Sequence, residues 1–252
     1  MVNFINGGVT APKGFKASGI HCGIRKNKTK KDLALIVADT ECDAAAVYTR
    51  NLVYGAPITV TRNNIADGKA RAIICNSGIA NTCNADGVEK AELMCSLAAE
   101  ATGLKSADFV VASTGVIGQP INIEPIKNGL PELVTELSVN GSSNAAEAIM
   151  TTDTVKKEFA VEFNLGGKIC KIGAISKGSG MIHPNMATML CFITTDANIE
   201  SKMLKSALLD VVDDSFNMLS VDGDTSTNDT VAILASGKAE NKRIEEKNDD
   251  YN

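Results

Sequence analysis

The sequence predicts a mixed α/β fold, and three observations predict it. Short apolar runs such as residues 33–38, 71–75 and 109–112 are bounded by polar or glycine-containing stretches and have the length of buried strands. Over residues 88–101 and 201–219 apolar side chains recur at helical spacing, which marks amphipathic helices. Gly166-Gly167 lies between two strand-like runs and marks a β-hairpin.

Taken in order, residues 7–15 are loop-like, and residues 26–31, with four lysines, make a solvated turn. Residues 33–38 and 44–49 read as two buried strands, and 57–61 as a third. Residues 71–75 form a strand ending in the polar stretch Asn76-Ser77-Gly78-Ile79-Ala80-Asn81-Thr82-Cys83-Asn84. That loop can present backbone amides to a ligand or serve as a plain connection. The helix over 88–101 packs Val88, Ala91, Met94, Cys95, Ala98 and Ala101 on the sheet. Residues 109–112 then lead into Ser113-Thr114-Gly115, where a hydroxyl and a glycine amide either converge on a developing oxyanion or form an ordinary turn.

Residues 123–137 contain Pro125, tolerable at a helix start, and Pro131, which begins a fresh segment. Asn144 is placed to cap a short helix through Met150, followed by the hydroxyl-rich Thr151-Thr152-Asp153-Thr154. Residues 159–163 and 169–175 are the hairpin strands, and the second delivers Lys177 to a glycine-rich loop. Residues 188–195 form a strand, Ser201 caps the following helix, and 230–235 is a last strand. The charged tail over 238–252 is either a solvated helix or disordered.

Composition bounds the function. The 252 residues suffice for one large or two ordinary domains, with the 44% hydrophobic and 22% charged content of a soluble globular protein. Trp is absent, aromatics are 4% and there are 21 Gly, which points to a core of small, closely packed side chains. A formal charge of -5 argues against nonspecific binding to nucleic acid or acidic membrane. The seven cysteines form no CxxC pair and several sit in apolar runs, so a reduced, cytoplasmic protein is expected. No leader pattern opens the sequence, and no run of about 18 apolar residues supports a membrane span.

No metal site is expected from two histidines, His21 and His183, outside any known zinc spacing. Asp222-Gly223-Asp224 fails the calcium-loop pattern and reads as a structural turn. The nucleophile-elbow and phosphate-loop motifs are absent.

The organising stretch is Lys177-Gly178-Ser179-Gly180-Met181-Ile182-His183-Pro184-Asn185-Met186-Ala187-Thr188-Met189-Leu190, an irregular loop running into a strand. Thr188 either merely begins that strand or has chemistry of its own. If the Ala187–Thr188 bond were cut, Thr188 would gain an α-amine with a pKa near ~8, able to take the proton of its own hydroxyl.

That stretch resembles the self-cleavage segment of the ornithine acetyltransferase family, the glutamate N-acetyltransferases of arginine biosynthesis. Residues 76–83 are similar to the family's NSGNANAC-like loop, with Ile79 where Asn is usual, and residues 112–118 resemble its oxyanion-hole segment. Residues 222–229 resemble a further family signature. The resemblance implies an α/β fold of the ornithine acetyltransferase and aminopeptidase type, a layered α-β-β-α sandwich with self-processing, N-terminal-nucleophile logic. It implies Thr188 as nucleophile, Thr114 and Gly115 as oxyanion hole, and Thr151, Lys177 and Thr188 as substrate contacts. Cleavage between Ala187 and Thr188 would leave residues 1–187 as the α chain and 188–252 as the first part of the β chain. The family's later portion, with a further substrate-binding Glu, lies beyond this sequence.

The activity so implied moves the acetyl group from N-acetylornithine to glutamate through an acetyl-Thr188 intermediate. It needs no cofactor, has acetyl-CoA as an optional second donor, and belongs to a heterotetramer of paired α and β chains. The alternatives are an aminopeptidase or amidase of the same fold, with water as acceptor, and a truncated chain that never matures.

Overall fold

The structure, a computed structural model, describes residues 2–181 and 189–251. The elements run β1 (Val2–Ile5), β2 (Phe15–Ile20), β3 (Leu33–Tyr48), α1 (Ala56–Asn64), β4 (Lys69–Ile79), α2 (Gly87–Thr102) and β5 (Phe109–Val116). They continue as α3 (Glu124–Thr135), α4 (Ser142–Ile149), β6 (Lys157–Leu165), β7 (Lys168–Lys177), β8 (Leu190–Thr195), α5 (Ser201–Val212) and β9 (Thr230–Ala235). Among the described residues the strands form one nine-stranded sheet in the order β1-β6-β7-β8-β9-β3-β4-β5, with β2 paired to β3.

β3 organises it. The two apolar runs expected as separate strands, 33–38 and 44–49, are one strand of 16 residues whose register with β4 shifts between Val37 and Cys42. Its first half pairs with β2 and β4, and its second half with β9. Ala34, Ile36, Ala38, Cys42, Ala44 and Ala46 all face one interior core, because side chains alternate along a strand and the irregularity preserves the parity. The outward residues divide: Leu33 and Leu35 pack under α2 and α3, whereas Ala45 and Val47 pack under α5. The sheet therefore folds on itself, β4 and β5 facing β7, β8 and β9 across the shared interior, with helices outside both halves. This is the expected α-β-β-α sandwich. The interior admits α4 through Ala145, Ala146, Ala148 and Ile149, so small side chains do pack at its centre.

The hairpin is as expected: Leu165 pairs with Lys168, and Gly166 and Gly167 have φ of 54° and 86°, the left-handed pair that a tight two-residue turn requires. Other expectations are corrected. Residues 57–61 lie in helix α1, not a strand, with Pro57 in its first turn. The polar stretch 76–79 continues β4, and Ser113-Thr114-Gly115 continues β5, rather than forming loops. α3 runs through Pro131 without restarting, because its buried stripe of Ile126, Leu130 and Leu133 outweighs one lost backbone bond. Asn144 lies inside α4 and accepts from Lys31 (2.6 Å) instead of capping. Ser201 opens α5 without a side-chain cap; its N–H donates to Asp43 (3.2 Å), and α5 stops at Val212. The tail is packed: Ala239, Asn241 and Ile244 are buried, and Arg243 donates to both Asp43 oxygens (3.0 and 3.3 Å).

Candidate active site

Six separated segments meet at one cavity of about 490 Å³, lined by Thr114, Gly115, Thr151 and Lys177 among others. β5 runs parallel to β4 with Thr114 beside Ser77 and Gly115 beside Gly78, which brings the Ser-Thr-Gly end of β5 to the wall. Gly115 has φ 134°, and a Cβ on it would lie 2.2 Å from the Gly78 carbonyl carbon, so no other residue fits. β7 ends at Lys177, which enters from the opposite half of the sandwich and is 3% exposed.

The Lys177 ammonium donates to the Thr114 hydroxyl oxygen (3.1 Å), its one hydrogen bond among the described residues. Burial holds its pKa below the usual lysine value, against the pull of Asp153 and Asp229. Since Thr114 Oγ1 accepts from Lys177, the Thr114 proton is left to donate elsewhere. Asp153 holds the Thr151 loop: its carboxylate accepts from the Thr151 N–H (3.1 Å), the Gly178 N–H (2.8 Å) and Lys157 (2.7 Å). Burial alone would raise its pKa, but Lys157 and the two backbone donors hold it below the usual range.

Asn228 closes the wall. Its amide donates to the carbonyls of Ala80 (2.7 Å) and Ser113 (2.9 Å), and its oxygen accepts from the hydroxyls of Thr82 and Thr227 (2.6 Å each). Beside it, the buried Asp229 accepts from the Met189 N–H (2.8 Å), while Oδ2 makes no hydrogen bond among the described residues. Burial pushes this carboxyl up to about 7, although the Met189 N–H, the nearby Ser226 hydroxyl and Lys177 all favour its charged form.

Of the predicted site residues, the structure thus assembles Thr114, Gly115, Thr151 and Lys177. Ala187 and Thr188 lie outside the described residues, as does His183. Thr188 is followed at once by Met189, whose N–H Asp229 holds, and Leu190 pairs with Lys177 on one side and Thr230 on the other. Asp222 accepts from the Met181 N–H (2.6 Å) and the Asp224 N–H (3.4 Å), and no metal-binding cluster occurs among the described residues. Sequence reasoning did not single out Arg25, Asp153, Asn228 or Asp229; a buried carboxylate in a hydroxyl-rich run was the available signal for the two aspartates.

Residues 16–252 match the ArgJ family. This chain belongs to that family. The arginine biosynthesis bifunctional protein ArgJ of Symbiobacterium thermophilum is 49% identical to it over 245 residues, covering 96% of this chain and 61% of that protein. The chain thus spans about three fifths of the length of the ArgJ relatives it matches. The crystal structure of arginine biosynthesis bifunctional protein ArgJ from Bacillus halodurans matches with a TM-score of 0.70 and 42% identity, covering 74% of this chain and 98% of that one. The structure of ornithine acetyltransferase complexed with ornithine from Mycobacterium tuberculosis matches at 0.66 and 31% identity, covering 75% of this chain and 100% of that one. The l-aminopeptidase d-ala-esterase/amidase of Ochrobactrum anthropi, a variant of the ntn hydrolase fold, matches at 0.52, 12% identity and 91% of this chain against 74% of its own, a likeness of fold alone. Among the described residues no helix is long and apolar enough to cross a membrane.

Proposed function

We propose that this ArgJ chain carries the self-cleaving nucleophile of an acetyltransferase that passes acetyl from N-acetylornithine to glutamate in arginine biosynthesis. The observation that carries this reading is the convergence of Thr114, Gly115, Thr151 and Lys177 on one cavity, beside the strand that begins just after Thr188.

The Thr188 hydroxyl attacks the Ala187 carbonyl carbon, the Ala187–Thr188 C–N bond breaks, and the hydroxyl proton passes to the departing nitrogen. Water then hydrolyses the ester, leaving Ala187 a carboxylate and Thr188 a free amine.

In the second stage the Thr188 amine takes the proton of its own hydroxyl, which attacks the acetyl carbonyl of N-acetylornithine. The developing oxyanion is held by the Thr114 hydroxyl and Gly115. Ornithine leaves with the proton, and the glutamate amine attacks the acetyl ester to restore Thr188. Lys177 supplies a buried, desolvated cation for a substrate carboxylate, and Thr151 a polar contact across the cavity. No cofactor takes part; acetyl-CoA can acylate the same hydroxyl. The α and β chains pair in a cytoplasmic heterotetramer.

Intact mass and acetyl exchange test this reading on the full-length chain. The wild type is expected as two chains, the second beginning Thr-Met-Leu, and Thr188→Ala as one chain without transfer. Cleavage or transfer surviving in Thr188→Ala would remove Thr188 from the mechanism. The aminopeptidase alternative has only its fold in common, and acetate release without acetylglutamate would favour it.

A further inference from the structure

Arg25 is the cavity's second cation, and the mechanism above gives it no task. Arg25 and Lys177 are the only charged residues in the described lining, which contains no carboxylate. The segment that carries Arg25 is fixed by a fully buried carboxylate: Asp32 accepts from the backbone N–H groups of Cys22 (2.6 Å), Gly23 (3.3 Å) and Arg25 (2.9 Å). The Arg25 stem passes over Gly78, where a Cβ would stand 3.0 Å from its Cγ.

The half-buried guanidinium donates through Nη2 to the Met150 carbonyl, next to Thr151, and makes no ion pair among the described residues. Its remaining N–H groups have no protein acceptor there. Burial lowers its pKa, and the more distant Asp32 and Asp153 only partly offset this. A half-buried cation without an ion pair among the described residues, at a cavity wall on a segment fixed by a buried carboxylate, is arranged for an anion brought from outside.

We infer that Arg25 binds a carboxylate of the acetyl acceptor, so that the Arg25–Lys177 pair selects a dicarboxylate amino acid. This rests on the proposed acetyl transfer for the acceptor's name. A guanidinium meets a carboxylate with two parallel N–H groups, whereas a donor whose side chain ends in an ammonium gains nothing from it.

The test compares wild type, Arg25→Gln and Arg25→Lys in the full-length chain, by calorimetric titration with glutamate and by steady-state transfer. Arg25→Gln is expected to weaken glutamate binding and raise its KM by roughly 10- to 100-fold, with the KM for N-acetylornithine within about threefold and kcat little changed. Arg25→Lys keeps the charge and is expected to fall between, which preserves the test should Arg25→Gln fold poorly. An unchanged glutamate KM, or equal rises for both substrates together with a lowered Tm, would overturn the inference and leave Arg25 a loop tether. Arg25-dependent glutamate binding in a chain that shows no transfer would sustain this assignment while the proposed function fell.

Discussion

Asp229 sets one carboxyl oxygen on the Met189 N–H, has no hydrogen bond to the other among the described residues, and is pushed up to about 7 by burial. A carboxyl whose folded pKa lies above its unfolded value binds its proton more tightly in the fold. Its contribution to stability is therefore full below about pH 4 and is lost as pH rises to about 7. Three units correspond to roughly 4 kcal/mol at most. Asp229→Asn keeps an acceptor for Met189 and copies the protonated state. In an uncut Thr188→Ala background, urea unfolding is expected to show the two proteins alike near pH 4 and the Asn form more stable at pH 8; the opposite trend would mean that the anion is the favoured form. At Gly115, alanine must displace the β4 backbone, and Gly115→Ala is expected to lower stability by roughly 1–3 kcal/mol and acetyl transfer at least tenfold. At this scale the sequence exposed Thr114, Gly115, Thr151 and Lys177 as separate weak signals. Their meeting was invisible, because Lys177 and Thr114 are 63 positions apart and touch only across the interior.

The elements show where local pattern and packing part. Residues 57–61 are β-branched enough to suggest a strand, yet they form α1 because β5 is an edge of the sheet. Thr61 donates to the Val111 carbonyl (2.7 Å) and accepts from the Val111 N–H (2.8 Å), filling the role of the missing neighbour, and Asn64 donates to Phe109 (2.9 Å). Thr61→Val strips both bonds from a buried strand and is expected to cost about 2–3 kcal/mol in denaturant unfolding, more than Thr59→Val two residues earlier on another face of the helix; equal losses would show that the hydroxyl is idle. The hairpin and α2 were legible, since each is set by its own residues. The merging of two apolar runs into β3 was not, because the residues between them, Asp39, Thr40 and Glu41, are polar and span the register shift against β4.

For the molecule as a whole, the proposed cut falls within one sheet rather than between domains. β8 lies between β7 and β9, and β9 is paired in turn to β3, so residues beyond the cut hold the centre of the sheet. The two chains produced are expected to co-elute in native size exclusion and to separate only in denaturant; native dissociation would contradict this placement of β8 and β9. The sequence by itself determined the α/β class, the tight Gly166-Gly167 turn and the motif residues, because these follow from side-chain type and spacing along the chain. Only the tertiary structure decided that one sheet folds about β3 into two layers and that Arg25, Thr114, Thr151 and Lys177 share a cavity. Long-range pairing and burial set those distances, and neither leaves a mark on the order of neighbouring residues.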